Sequence, residues 1–235
     1  MTDRRVSIGI IVVSVNTILE PELSRAAPEG VDLHFTRARM RSEAPEELER
    51  MEAEGPAAAE LLADAGVDVI VFACTAASLF RGPGQDQEIV RRIEAATGLP
   101  AVATAGAVLQ AFRALGMRRI GLGSPYSDRV NEMEERFFRG SGVEVLRAKG
   151  LGCRGGEMAK VPPDQVFQTG REVDTPEGDG VFLSCTNWPT LSIIPSLEAK
   201  LGKPVTSSNQ ATLWAALRRA GVNDALPGGG RLFRR

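Results

Sequence analysis

The 235-residue sequence predicts an α/β protein of two pseudo-symmetric lobes, each a mainly parallel sheet flanked by helices, with a cleft between them. Three observations carry that prediction. Short β-rich runs alternate with helical patterns, the mark of βα units. Three sequence blocks recur in the same order. Their spacing is also kept, with 65 residues from Gly9 to Cys74 and 64 from Gly121 to Cys185.

In chain order, a strand over Val6–Val13 contains Ile8-Gly-Ile-Ile-Val-Val-Ser-Val-Asn-Thr, which answers to Ile120-Gly-Leu-Gly-Ser-Pro-Tyr-Ser-Asp in a strand over Arg119–Gly123. Glu46–Ala65 reads as a helix because Leu48, Met51, Ala58, Leu61 and Leu62 recur at helical spacing. A strand over Val67–Ala73 runs into Cys74-Thr75, and its counterpart over Gly180–Ser184 runs into Cys185-Thr186. Helices over Gln85–Ala96 and Thr190–Leu201 follow. The third block pairs a strand over Ala101–Thr104 and a helix over Ala105–Leu115 with a strand over Pro204–Ser207 and a helix over Gln210–Ala220. A strand over Val143–Leu146 and helices over Asp128–Gly140 and Pro163–Arg171 complete the second lobe. The lobes are expected at 1–117 and 118–235, with the last helix free to pack on the opposite lobe. Residues 226–235 hold three consecutive glycines and read as a flexible tail.

Composition narrows the function. With 28 Lys+Arg against 30 Asp+Glu and no dense basic stripe, nucleic acid is not an expected partner. The longest apolar runs fall short of a bilayer span, no signal-peptide cleavage site is evident, and the expected address is the cytoplasm. A small carboxylate is the expected partner, and a homo-oligomer is compatible with the sequence. One histidine, His34, makes a His-built metal site impossible, and neither a metal nor a cofactor is expected. Three cysteines without a C-x-x-C pair exclude a disulfide scaffold or a zinc ribbon.

Ligands of open α/β sheets bind beyond the carboxyl ends of the strands. There stand Asn16-Thr17, Cys74-Thr75-Ala76, Ser124-Pro125-Tyr126, Cys185-Thr186-Asn187 and Ser207-Ser208-Asn209. Pseudo-symmetry sets Cys74 and Cys185 facing each other across the cleft. Strand-end N–H groups and helix dipoles are expected to favour their thiolates and to receive a carboxylate. Cys153 has no repeat partner and reads as structural. His34, within Asp32-Leu-His-Phe, alternates like a strand residue and is not read as catalytic. Arg37, Arg39 and Arg41 read as a solvated face, and Glu43-Ala-Pro-Glu-Glu as an acidic helix start.

Cys74-Thr75 and Cys185-Thr186-Asn187, with Asn16-Thr17 near the start, resemble the aspartate/glutamate racemase superfamily over essentially the whole chain. Ser14-Val-Asn16-Thr17-Ile-Leu-Glu20-Pro21-Glu22, Ala73-Cys74-Thr75-Ala-Ala-Ser78 and Ser124-Pro125-Tyr126 look like its maleate cis-trans isomerase branch. Ser78-Leu-Phe-Arg-Gly82, Gly98-Leu-Pro100 and Arg113-Ala-Leu-Gly-Met-Arg-Arg119 equally resemble arylmalonate decarboxylase. The isomerase resemblance implies that Cys74 adds to the double bond of maleate while Cys185 manages the proton. It also implies that Asn16, Thr17, Thr75, Ala76, Tyr126, Thr186 and Asn187 hold the substrate. The decarboxylase resemblance implies a single thiol, matching Cys185, and glycine where Cys74 stands. The chain departs from the isomerase pattern at Leu151–Val161, where Gly155 and Gly156 replace a substrate-binding Asn. Trp188-Pro189 beside Cys185 adds a bulky wall. The leading expectation is a cofactor-independent two-cysteine isomerase of a small dicarboxylate. The alternatives are an arylmalonate decarboxylase-like enzyme, an amino-acid racemase, a thiol pair with a redox role, and a non-catalytic small-molecule binding protein.

Overall fold

The computed structural model describes residues 5–226 and 228–235; the start of the first lobe, residues 1–4, and Pro227 of the tail lie outside the described residues. Two four-stranded parallel sheets form the frame. The first has the order β2-β1-β3-β4, from β1 (Val6–Val13), β2 (Val31–Ala38), β3 (Val69–Ala73) and β4 (Ala101–Ala103). The second has the order β6-β5-β7-β8, from β5 (Arg119–Ser124), β6 (Glu144–Gly150), β7 (Gly180–Leu183) and β8 (Val205–Ser207). The same order twice is the structural form of the sequence repeat. β1 and β3 pair with Ile10 opposite Val71, and β5 and β7 pair with Leu122 opposite Phe182. These are central strands whose apolar runs are covered on both faces, which is why alternation with polar residues is absent from them.

Among the described residues, seven α-helices connect successive strands and an eighth follows β8: α1 (Leu19–Ala26), α2 (Pro45–Asp64), α3 (Gln85–Thr97), α4 (Thr104–Leu115), α5 (Asp128–Gly140), α6 (Pro163–Val173), α7 (Ile194–Leu201) and then α8 (Ser208–Arg219). Two glycines allow the close approach of layers. A Cβ on Gly121 in β5 would stand 2.2 Å from the Val173 carbonyl oxygen of α6, and one on Gly150 would stand 2.2 Å from that of Tyr126.

Two apolar clusters each draw residues from both lobes. Phe112 of α4 meets Phe182 of β7 edge to face at 5.3 Å between ring centroids, and Phe138 of α5 packs on Phe182 at 5.6 Å. α4 and α8 pack on each other, and α8 also covers β3 and β4 of the first sheet. Ten consecutive residues of α8, Ser208 to Leu217, are buried, so the helix is enclosed by protein on every side.

Several expectations need correction. α1 had no counterpart in the sequence reading; Leu19 and Leu23 bury its inner face. β2 extends over eight residues where only a short alternating stretch was legible, and His34 lies exposed on this edge strand. Part of the 151–161 loop is helical, with a short 3-10 segment over Gly155–Lys160 that buries Met158. The described part of the tail is docked, not free. Leu232 and Phe233 are buried in the core, Gln210 Nε2 donates to the Gly229 carbonyl at 2.6 Å, and the Arg231 N–H donates to Glu198 Oε2 at 2.9 Å. Two apolar anchors offset the backbone freedom of the glycines.

Glu134 of α5 is fully buried beneath the second sheet, hydrogen-bonded to the Ser184 hydroxyl. Burial pushes its carboxyl from 4.5 up to about 8. A folded-state pKa above the unfolded one means that this group's stabilising contribution is complete below the unfolded pKa and is lost as pH rises through about 8. Glu134→Gln is therefore expected to flatten the fall in Tm between about pH 5 and about pH 9. Thermal melts across that range check this, and an unchanged slope refutes it.

Candidate active site

β3 and β7 hold equivalent places, each between the first strand of its lobe and the sheet's last strand, and each delivers a cysteine at its carboxyl end. Cys74 follows β3 directly, and Cys185 stands two residues beyond Leu183. Both are 3% exposed. Cys185 has φ +102°, the only positive φ of a non-glycine among the described residues. Such a conformation costs about 1–3 kcal/mol and persists only where the surroundings fix it.

The fixing group is Ser208, at the start of α8. Its hydroxyl oxygen accepts from the Cys185 N–H at 3.1 Å and from the Thr75 hydroxyl at 2.9 Å, tying the two cysteine-bearing loops to one point. The Cys185 sulfur accepts from the Asn187 N–H at 3.3 Å, and the Cys74 sulfur from the Ala77 N–H at 3.4 Å. The Ala76 N–H also faces the Cys74 sulfur. Tyr126, 4% exposed, directs its hydroxyl to the Cys185 thiol, and its backbone is held by the Ser124 hydroxyl at 3.1 Å.

Asn16 serves two ends at once. Its Oδ1 accepts from the Ile18 and Leu19 N–H groups, both at 2.9 Å, capping the entry to α1, while its Nδ2 donates to the Thr186 hydroxyl at 3.1 Å. Asn187 Oδ1 accepts from the Thr17 N–H at 3.0 Å, and the Thr17 side chain itself is exposed. Asn16, Thr75, Ala76, Tyr126, Thr186 and Asn187 therefore converge around the two thiols, whereas Thr17 contributes only its backbone. Arg37 is exposed, as are Arg39 and Arg41, in keeping with a solvated face, and it also donates from Nη1 to the Asn16 carbonyl at 2.8 Å, bracing this loop.

The expected thiolate character is overturned. Burial pushes the Cys74 thiol up to about 12 and the Cys185 thiol higher still. Backbone N–H groups and the Tyr126 hydroxyl oppose the shift but are outweighed by desolvation. Both groups are neutral thiols in this structure. The Tyr126 hydroxyl is likewise pushed well above its usual range by burial.

Three neighbours were not legible as site residues. Met40, after β2, and Met158, after β6, place their sulfurs 3.8 Å from the Cys74 sulfur and 3.6 Å from the Cys185 sulfur. They come from equivalent connections of the two lobes, and that pairing was the available signal. Glu43, read as a helix start, is half-buried, accepts from the Gly155 N–H, and acts electrostatically on both thiols. Cys153 stands apart, partly exposed. Among the described residues, no group of three or more His, Cys, Asp or Glu side chains could hold a metal ion. A cavity of about 530 Å³ between α1 and the tail, lined by Glu22, Gln210 and Phe233, includes neither thiol.

Two repeated α/β lobes, each delivering a buried cysteine from the same strand to a shared polar cluster, define an enzyme of the aspartate/glutamate racemase type. The sequence profile of arylmalonate decarboxylase matches residues 8–233, and the chain belongs to that family, in the branch it shares with maleate isomerases. It is 31% identical to a maleate isomerase of Nocardia farcinica, over 97% of this chain and 95% of that protein. It is 38% identical to an arylmalonate decarboxylase of Bordetella bronchiseptica over 72% of each chain. A solved Nocardia farcinica maleate cis-trans isomerase, a cysteine-to-serine mutant with a covalently bound succinylcysteine intermediate, superposes with TM-score 0.92 at 28% identity, covering 97% of this chain and 98% of that one. The protein is accordingly a cysteine-dependent enzyme of this branch.

Ser208→Ala leaves the Cys185 N–H without its acceptor at a strained residue, and is expected to cost about 1–3 kcal/mol in urea denaturation. A loss below about 0.5 kcal/mol contradicts the bridging role. Because only thiolates alkylate rapidly, brief iodoacetamide treatment at neutral pH is expected to label Cys153 before Cys74 or Cys185. Peptide mass mapping reads the order, and early labelling of either buried thiol contradicts it.

Proposed function

We propose that the chain is a cofactor-independent cis-trans isomerase of a small maleate-type dicarboxylate, with Cys74 as nucleophile and Cys185 as acid and base. The observation that carries this reading is the presence of two buried thiols at matching strand ends within one polar cluster. A decarboxylase of this branch needs only the thiol at Cys185, so Cys74 calls for a reaction that uses both.

In this reading, the Cys74 sulfur passes its proton to water, which returns it at the end of the cycle, and bonds to one alkene carbon, while the π electron pair moves onto the neighbouring carbon and its carboxylate. The former double bond is then free to rotate. Cys185 donates its proton to the carbanionic carbon, giving a thioether, and later removes that proton again. The electron pair reforms the double bond in the trans arrangement, the carbon–sulfur bond breaks, and the sulfur regains its proton, leaving no net change of atoms or electrons. The neutral Cys185 thiol suits the donor role, and the Ala76 and Ala77 N–H groups at the Cys74 sulfur suit a nucleophile on which negative charge develops. Asn16, Thr75, Tyr126, Thr186 and Asn187, with the Ala76 and Thr17 backbones, are assigned to the substrate carboxylate through hydroxyl, amide and N–H groups. The lobes are assigned to 1–117 and 118–235.

Proton NMR in deuterated water, with maleate and phenylmalonate as substrates, tests the reading. Cys74→Ala is expected to lower isomerisation by about a thousandfold or more. Undetectable isomerisation by the unmodified protein, with phenylmalonate decarboxylation that survives Cys74→Ala, would establish the decarboxylase instead.

A further inference from the structure

Glu22 lies in α1, a helix of the first lobe, yet the donors that meet its carboxyl come from the second. Oε1 accepts from the Leu191 N–H at 3.1 Å and Oε2 from Asn209 Nδ2 at 2.7 Å, partners 169 and 187 residues away in sequence. The Thr190 N–H also faces the carboxyl. Asn209 Nδ2 donates in addition to the Trp188 carbonyl at 3.2 Å, and the Thr190 hydroxyl donates to that of Ser207 at 2.8 Å. Glu22 is 7% exposed and Trp188 wholly buried, which shields these contacts from competing water. Burial raises the Glu22 carboxyl, and the Asn209, Leu191 and Thr190 donors and the charge of Arg25 oppose the rise.

Residues 188–191 follow directly on Cys185-Thr186-Asn187. The near side of this stretch is tied to the first lobe by Asn16 at Thr186 and by the Thr17 N–H at Asn187; the far side is tied by Glu22. α1 serves both ends, because Asn16 caps the helix through the Ile18 and Leu19 N–H groups, one turn before Glu22. Cys185 has φ +102°, which an L-residue keeps only under constraint, so the chain that follows it helps to set where its sulfur points. Cys74 is held otherwise, by the turn over Ala76–Ser78 and by the Thr75 hydroxyl on Ser208. A carboxyl suits the Glu22 position because it offers two acceptors, one to backbone N–H groups and one to a side-chain amide. An amide in its place would turn a second donor on one of those donors.

We propose that Glu22 is a positioning residue for the reaction, a clasp between the lobes whose two accepting oxygens hold the 188–191 segment and thereby aim the Cys185 sulfur at a substrate shared with Cys74. The inference rests on the proposed roles of the two thiols. Glu22 itself acts only through that segment. A sulfur carried by one lobe must exchange a proton with a carbon next to the one bonded by the sulfur of the other, and a misplacement of about 1 Å costs such a step about a hundredfold.

Glu22 also lines the cavity of about 530 Å³ between α1 and the tail, so Glu22→Ala opens a carboxyl-sized space to small solutes. With folding at the assay temperature verified by thermal melting, this variant of the full chain is expected to lose at least about tenfold in kcat for maleate. Sodium formate is expected to restore its kcat at least about threefold, formamide of the same size is not, and neither raises that of the unmodified protein. Iodoacetamide labelling with peptide mapping reads placement without turnover: Cys185 is expected to label at least about tenfold faster than in the unmodified protein, and Cys74 to stay within about twofold. Glu22→Gln keeps the side chain's size and carries the test where Glu22→Ala melts below the assay temperature. It is expected to shift kcat and Cys185 labelling in the same directions, with no response to formate. An unchanged kcat, formate restoring no more activity than formamide in Glu22→Ala, or equal acceleration of labelling at both thiols overturns the proposal. A protein that does not isomerise maleate overturns the proposed reaction instead, and the selectivity of labelling for Cys185 then decides alone whether Glu22 holds that residue in place.

Discussion

The site depends on one hydroxyl. Ser208, at the first turn of a helix enclosed by both lobes, accepts from the backbone of Cys185 and from the side chain of Thr75. Through it, the strained conformation of one cysteine and the loop of the other are referred to a common origin in α8. Side chains at the ends of separate sheets would otherwise shift with every small rotation between those sheets. The shared phenylalanine cluster limits that rotation from the other side, because interiors packed at crystal-like density tolerate little sliding. Site precision and core packing are therefore two aspects of the same docking of lobe on lobe.

Electrostatics around the sulfurs runs against expectation for reactive cysteines. No histidine accompanies them, burial raises both pKa values, and the half-buried Glu43 carboxyl, itself pushed up by burial, adds to the opposition to their ionisation. The resting protein consequently holds its reactive groups in their unreactive, neutral form. Such a site gains reactivity only when a bound molecule rearranges charge and solvation, which protects the thiols from oxidants and alkylating agents between turnovers.

Much of this was legible from the residues. β1, β3, β5 and β7 announced themselves as short β-rich runs, and the duplication singled out Cys74 and Cys185 from Cys153. β2 and the far half of β6 were obscured because edge strands face water on one side, and Asp32, His34, Arg147 and Lys149 interrupt the apolar signal. α1 was hidden by its eight-residue length and by Pro21 inside it. The tail was misread because glycine content reports local freedom, whereas the anchors Leu232 and Phe233 act through distant contacts. Thiol ionisation was misjudged for a related reason. Donors at strand ends can be counted along a chain, but desolvation arises only when two lobes close over them. Met40, Met158 and Glu43 belong to long connections whose placement above the sulfurs follows from that same closure.

The matched sheets and the mutual packing of α4 and α8 have an evolutionary reading in terms of symmetry. Two identical halves, meeting about a two-fold axis through those helices, would have formed a closed dimer with equivalent thiols on either side of its cleft. Joining them in one chain makes each half permanently available to the other and releases them from the obligation to be alike. The present molecule is unlike in its two halves: one cysteine sits in ordinary backbone and the other at positive φ, with the Tyr126 hydroxyl directed to the latter. Two lobes of one topology thus present their two sulfurs in unlike settings.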